Sequence, residues 1–338
     1  YHSGRSLPHT IIMLIPEAWQ KHQTMDDAKK AFYEYHSCLI EPWDGPASIA
    51  FSDGNCIGAV LDRNGLRPSR YTVTKDDMVI MASETGVLDV HPQDVQSKGR
   101  LQPGRMFLID IEKGRIVEDE EIKAEIAARK PYRQWLEQNL VTLNELPVPP
   151  QNAAENSLPI KTRQQIFGYS MEDLRIILAP MAHDGKEPIG SMGDDIPPAI
   201  LSSRPRLLFD YFKQLFAQVT NPPLDAIREN LVTSLVTTIG AELNLFQETP
   251  QHCRQLKLDH PIIDNAQLEK IRHLNTGDLR SESLPIHFPV DEGGPGLQRA
   301  MEGLCRRAAR TVKEGAGILI LSDREMTKDL APIPSLLA

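Results

Sequence analysis

Three prolines in four residues, Pro147, Pro149 and Pro150, close a polar stretch that begins after Pro131. Proline lacks a backbone N–H and restrains the residue before it, so neither a helix nor a central strand runs through such a segment. The stretch reads as a linker, and it divides the 338-residue chain near residues 145–160 into two folded units. Hydrophobic residues make up 41% and charged residues 25%, enough apolar material for a core in each unit. The net charge of −9 and the absence of any long Lys/Arg cluster argue against a phosphate-backbone partner, so no nucleic acid is expected. Apolar runs such as Ile318–Leu321 fall far short of the roughly 18 residues a membrane helix needs, and no membrane partner is expected. Tyr1-His2-Ser3-Gly4-Arg5 carries neither a start Met nor an apolar signal segment and reads as a chain cut from something longer. Cys38, Cys56, Cys253 and Cys305 are widely spaced with no C-x-x-C, which suits a reducing cytoplasm and suggests neither a disulfide framework nor a metal loop.

The first unit reads as β-rich after one helix. Ala28, Phe32, Tyr35 and Leu39 share a helical face over 26–39. Strands follow at 47–51 and 56–61 around a Ser-Asp-Gly-Asn turn, then at 71–74 and 78–82 around Asp76-Asp77. Residues 106–111 and 115–117 form a hairpin, and Asp119-Glu120-Glu121 opens a helix to about Arg129. The second unit reads as α/β. A capping box spans Ser170–Asp173, and Pro205 starts a helix with Leu208, Phe212, Leu215 and Phe216 on one face. Ile227, Leu231 and Leu235 mark another helix, closed by Gly240. A strand at 286–290, a helix through Leu297, Met301, Leu304 and Ala308, and a strand at 317–321 imply a parallel pair with a right-handed crossover.

Few residues carry an obvious chemistry. The loop Asp62-Arg63-Asn64-Gly65-Leu66-Arg67-Pro68 is either a tight inter-strand turn whose arginines pair with carboxylates or one wall of a binding site. Ser83-Glu84 at a strand end offers either acid–base chemistry or a hydrogen-bonded loop. Cys38 is either a nucleophile or an inert thiol on a packed helix. His36 and His183 lack a second ligand at metal spacing and read as packing or surface histidines. Asp194-Asp195 reads as a cation site or a helix-capping turn. Gly190-Ser191-Met192-Gly193 is glycine-rich without a P-loop ending or a dinucleotide fingerprint. Residue by residue, the sequence shows two folded units and no complete active site.

Longer strings add more. Gly4–His9 with Met13–Trp19, Glu41-Pro42-Trp43-Asp44-Gly45-Pro46-Ala47-Ser48, Asp62–Arg70 and Met81-Ala82-Ser83-Glu84 resemble the late part of a glutamate synthase amidotransferase domain. The last two strings also resemble class II amidotransferases in general, the amidophosphoribosyltransferase type included. Leu178–Met181, Gly185–Pro188, Gly190–Gly193, Gln218–Pro223, Ile320–Arg324 and Ala331–Ala338 are similar to that family's central domain.

The resemblance implies an α+β fold first, the C-terminal part of an N-terminal-nucleophile amidotransferase with antiparallel sheets, over residues 1–145. A linker (146–160) and an α/β central domain with parallel strands (161–338) follow. In the family, glutamine yields ammonia, which crosses the protein interior and condenses with 2-oxoglutarate, and the imine is reduced to glutamate. The expected substrates are therefore glutamine and 2-oxoglutarate. The nucleophilic Cys belongs at a mature N-terminus, where this chain has Tyr1, so no catalytic residue is expected here. FMN and an iron–sulfur cluster are expected in a part that would follow residue 338, with no cofactor bound by this segment and no metal. Expected partners are the rest of the chain and ferredoxin or a pyridine-nucleotide-oxidising small subunit, in the cytoplasm or a plastid. The resemblance places Met192 and Thr220 beside the ammonia tunnel; as plain residues they would be a core filler and a helix-end hydrogen bonder. Asp62, Arg63, Asn64, Gly65 and Arg67 would support the amidotransferase loop. The alternatives are another class II amidotransferase and a stand-alone non-catalytic interaction module.

Overall fold

The structure is a computed structural model that describes residues 2–149, 158–186, 188, 198–212, 223–277 and 279–338. They form two compact units, 1–146 with 223–267, and 147–222 with 268–338. In this division residues 223–267 cluster with the first unit rather than with the stretch that precedes them.

The chain opens with α1 (Leu7–Leu14), capped by Ser6 and buried through Ile11, Ile12 and Met13, and α2 (Asp27–Ser37). Asp26 caps α2 by accepting from the Lys29 N–H at 2.9 Å, and Ala31, Phe32, Tyr35 and His36 give it a buried face. Strands β1 (Ser48–Ser52) and β2 (Cys56–Leu61) form the expected hairpin. β3 (Arg70–Thr74), β4 (Val79–Ala82) and β5 (Val95–Arg100) make a separate antiparallel sheet in the order β4-β3-β5. Asp77 takes the left-handed conformation its β3–β4 turn requires, at φ +65°. β6 (Met106–Asp110) and β7 (Arg115–Val117) complete the sheet β1-β2-β6-β7. α3 (Asp119–Ala127) and α4 (Tyr132–Asn139) lead to the short β8 (Val141–Thr142). The core joins α1, α2, α3 and α4 to one face of β2 and β6 through Ile12, Phe32, Tyr35, Val60, Met106, Ile126 and Tyr132.

In the second unit, α5 (Ile160–Ile166) precedes the reciprocal Ser170–Asp173 cap, in which Asp173 N–H donates to Ser170 Oγ at 3.1 Å and Ser170 N–H donates back to Asp173 Oδ2 at 2.8 Å. What the cap opens is a π-helical turn, Asp173–Leu178, running into α6 (Ala179–Asp184). The stripe expected from Leu208 onward is a 3-10 turn, Leu208–Tyr211, with Phe212 already extended; Leu215 and Phe216 lie outside the described residues.

The chain then returns to the first unit. α7 (Ala226–Val232) is shorter than expected: Thr233 is extended, and β9 (Thr237–Ile239) occupies the stretch before Gly240. The β-branched residues Thr233, Val236, Thr237, Thr238 and Ile239 favour that outcome. β10 (Leu256–Leu258) sits between β8 and β9. After α8 (Asn265–Arg272) and β11 (Asn275–Thr276) comes β12 (Leu279–Pro285), which pairs in parallel with β14 (Ile318–Ser322) through α9 (Gly293–Lys313). The parallel crossover is present, but its first strand is 279–285. Residues His287–Pro289 form β13, antiparallel to β15 (Leu330–Pro332). Arg280, Ser281, Glu282 and Ser283 hide β12 from an apolar-run criterion; the buried Ser281 hydroxyl donates to Ile271 O at 2.5 Å. Among the described residues, no helix is long and apolar enough to cross a membrane.

Candidate functional site

The loop 62–70 is a braced turn. Asp62 directly follows β2, with 2% of its surface exposed. Its carboxylate accepts from the backbone N–H of Ala47 at 3.1 Å, Asn64 at 2.9 Å and Gly65 at 3.1 Å. Gly65 takes φ +65°, whereas Asn64 stays in the ordinary region. Arg63 pairs with Asp44 at 3.5 Å, and Asn64 Nδ2 donates to Asp44 Oδ1 at 3.3 Å. Arg228, at the start of α7, donates to the carbonyls of Arg63 and Asn64, both at 3.2 Å. Arg67 is exposed, as are Ser83 and Glu84. The polar groups of Asp62, Arg63 and Asn64 thus serve the loop's own backbone and its neighbours.

The most concentrated polar chemistry lies elsewhere in the first unit. His9 comes from α1, His36 from the end of α2, and Glu248 from the segment that returns after the second unit's first stretch. His9 and His36 are 3% and 2% exposed. Their Nε2 atoms lie 3.0 Å apart, and Glu248 Oε1 is 3.4 Å from His36 Nε2 and 3.9 Å from His9 Nε2. His36 Nδ1 is 2.7 Å from Phe32 O. A carbonyl only accepts, so Nδ1 carries the His36 proton, and the Nε2 of the neutral ring is a lone pair aimed into the cluster. Tyr132 OH donates to Glu248 Oε1. On the other carboxylate oxygen, Lys130 Nζ lies at 3.2 Å and Arg5 Nε at 3.8 Å.

The electrostatics follow from burial and these partners. Burial, reinforced by His36, pushes the His9 imidazole down to about 3. Burial also lowers His36, against the opposing pull of Glu248. For Glu248 burial acts upward, but the hydrogen bond from Tyr132 and the polar groups gathered around the carboxylate outweigh it and hold the carboxyl well below the usual carboxylate range. Both rings are therefore neutral beside an ionised carboxylate.

The same contacts explain why residues 244–257 rejoin the first unit. Arg5 donates to Leu245 O at 2.8 Å, Tyr35 OH to Thr249 O at 2.7 Å, and Gln255 Nε2 to Cys38 O at 3.0 Å; Lys257 pairs with Glu34 at 2.7 Å.

The remaining sequence candidates separate. His36 is no isolated packing histidine: its partners lie 27 and 212 positions away, so spacing along the chain could not reveal them. His183 is exposed and pairs with Asp184 at 2.6 Å. Burial pushes the Cys38 and Cys253 thiols up to about 12 and Cys56 up to about 11, and Cys305 is exposed on α9. An iron–sulfur cluster needs several converging cysteines, and among the described residues the one group with metal-ligand spacing, His9, His36 and Glu248, contains none. Met192, Thr220, Gly190–Gly193 and Asp194-Asp195 lie outside the described residues.

Comparison with known proteins then bears on the whole chain. A family model for class II glutamine amidotransferases matches residues 1–135, and one for the glutamate synthase central domain matches residues 162–338. This chain belongs to the glutamate synthase family. The NADPH glutamate synthase large chain of Bacillus subtilis is 49% identical over 336 residues, 99% of this chain and 22% of that protein. The NADH glutamate synthase of Schizosaccharomyces pombe is 43% identical over 98% of this chain and 16% of its own length. The chloroplastic ferredoxin-dependent glutamate synthase of Oryza sativa is 42% identical over 98% and 21%. The chain spans about a fifth of these relatives. Glutamate synthases of all three donor types match it at similar identity, so the likeness does not select an electron donor. The fold class agrees: antiparallel sheets lie under the amidotransferase match, and the parallel β12–β14 pair lies under the central-domain match. The braced 62–70 loop, His9 and His36 lie under the class II amidotransferase match, and Glu248 lies under the central-domain match although it packs with the first unit.

Proposed function

We propose that this chain is the segment of a glutamate synthase that joins glutamine hydrolysis to glutamate formation. The observation that carries the reading is the order of two family matches on one chain, amidotransferase then central domain. The proposed sequence division is amidotransferase over 1–145, linker over 146–160 and central domain over 161–338. In the whole protein, glutamine would supply ammonia and 2-oxoglutarate would receive it, with electrons from ferredoxin or from a subunit that oxidises a pyridine nucleotide. FMN and an iron–sulfur cluster, when bound by the rest of the protein, would supply the reducing chemistry. The cytoplasm or a plastid is the proposed location.

Within this segment the proposed role is confinement. Ammonia that reaches bulk water is protonated and lost as a nucleophile, so its passage must exclude water. Met192 would line that passage with a flexible thioether that yields to a small molecule, and Thr220 would offer a single hydroxyl hydrogen bond. Asp62, Arg63, Asn64, Gly65 and Arg67 would support the amidotransferase loop, consistent with the brace that Asp62 and Arg228 provide.

The test is an assay of the whole protein with glutamine, 2-oxoglutarate and, in turn, reduced ferredoxin, NADPH and NADH. The proposal expects two glutamates per glutamine with one of the donors. Glutamine hydrolysis without 2-oxoglutarate consumption under all three would refute it.

A further inference from the structure

The arrangement of His9, His36 and Glu248 has the dimensions of a metal site. Their three converging atoms form a triangle with sides of 3.0, 3.4 and 3.9 Å. A triangle with those sides has a circumscribed radius of about 2.0 Å, the length of zinc–imidazole and zinc–carboxylate bonds. One point in the plane of the three atoms is therefore equidistant from all of them at bonding distance, and a shift of about half an ångström at Glu248 would even the edges toward the roughly 3.3 Å that tetrahedral bonds of about 2.0 Å require. From that geometry we infer that His9 Nε2, His36 Nε2 and Glu248 Oε1 bind a zinc ion, with a water molecule as fourth ligand.

The surroundings support the assignment. A metal-binding imidazole characteristically donates its other N–H to a carbonyl or carboxylate, which fixes the ring; His36 Nδ1–H does so to Phe32 O at 2.7 Å. A ligating carboxylate is in turn held by hydrogen bonds, and Lys130 lies 3.2 Å from Glu248 Oε2, the oxygen turned away from the triangle. Arg5 is on that same distal oxygen, at 3.8 Å. The two cations orient the carboxylate and leave Oε1 to the ion and to Tyr132 OH. Two imidazoles with one carboxylate make a nitrogen–oxygen set that zinc accepts in tetrahedral coordination. The competing arrangement is a metal-free cluster in which one proton bridges the two Nε2 atoms. The ion would tie α1, α2 and the returning segment together at one point, segments separated by 27 and 212 positions in sequence. That makes it a structural clamp for the first unit, independent of any role in the reaction.

The test uses the whole protein, stripped with a chelator, reloaded with Zn²⁺ alone and desalted. The inference expects one zinc retained per chain, a higher thermal midpoint with zinc than without, and a zinc X-ray absorption spectrum of two imidazoles plus oxygen at about 2.0 Å. Glu248→Gln and His36→Gln should each lose the zinc while circular dichroism shows a folded chain. Failure of the unaltered protein to retain zinc overturns the inference. So does retention of zinc by both folded variants, or a spectrum containing sulfur ligands. If either variant fails to fold, the spectrum of the unaltered protein decides.

Discussion

Truncating Asp62 to alanine removes one carboxylate and leaves three backbone donors, Ala47, Asn64 and Gly65, without their acceptor. A hydrogen bond to a charged group contributes about 1.5–3 kcal/mol, and a buried donor left unpaired costs a similar amount. The three do not add fully, because Asn64 and Gly65 are only half-buried and regain water when the loop opens. The net expectation is a loss of about 3–5 kcal/mol for Asp62→Ala. Asp62→Asn keeps one oxygen, and turning it toward the Asn64 and Gly65 amides sacrifices only the Ala47 bond, for a loss of about 1–2 kcal/mol. Because opening here is local, the suitable assay is hydrogen exchange by mass spectrometry on peptides covering 47–65. At about 1.4 kcal/mol per tenfold, Asp62→Ala should exchange roughly a hundred- to a few thousand-fold faster than the parent, and Asp62→Asn about five- to thirtyfold faster. An increase of less than about tenfold for alanine, or an asparagine variant worse than alanine, would refute the reasoning.

Gly65→Ala should strain the same loop from the other side. Its φ of +65° disfavours a side chain, and a Cβ would stand 2.3 Å from Pro103 Cγ, a ring that cannot swing aside. A cost of about 2–3 kcal/mol and a thermal midpoint lower by roughly 5–10 °C are expected, and calorimetry showing no fall would contradict it. Native-state alkylation near pH 8 should label the exposed Cys305 first and Cys56 slowly, while buried Cys38 and Cys253, with thiols near 12, stay silent; early labelling of either buried thiol would contradict their packing. In zinc-free protein, His9 has a folded-state pKa depressed to about 3, so between pH 6.5 and 3 the unfolded chain binds a proton that the folded chain does not. Stability should then fall by about 1.4 kcal/mol per pH unit below 6.5, with His36 acting in the same direction. A denaturation midpoint unchanged between pH 7 and 5 would show that the rings are not held neutral.

Local patterns carried much of the fold. The hairpins at 48–61 and 106–117 and the Ser170–Asp173 cap depend on neighbours a few residues apart and formed where the pattern put them, and the α2 face holds Phe32 and Tyr35 as expected, whereas Ala28 is exposed and Leu39 lies past the helix end. Three features depended on tertiary partners and were not legible. β12 carries polar residues whose groups are satisfied by its surroundings. The 235–240 stretch extends as β9 because β10 pairs with it. The return of 223–267 to the first unit rests on Arg5, Tyr35 and Glu248 contacts across more than two hundred positions. The His9–His36–Glu248 cluster is the extreme case, since ligand spacing rules read only ligands close in sequence. The family resemblance was legible because it rests on long contiguous strings rather than on packing.

The most direct test of the proposed conduit is the coupling ratio of the intact enzyme. Glutamine consumed and glutamate formed from 2-oxoglutarate should be measured together for Met192→Ala and Thr220→Val, with added ammonium as a second nitrogen source. The account predicts that glutamine hydrolysis and ammonium-driven glutamate synthesis persist, while glutamine-driven synthesis falls several-fold because ammonia escapes. A ratio equal to that of the parent enzyme in both variants would contradict it.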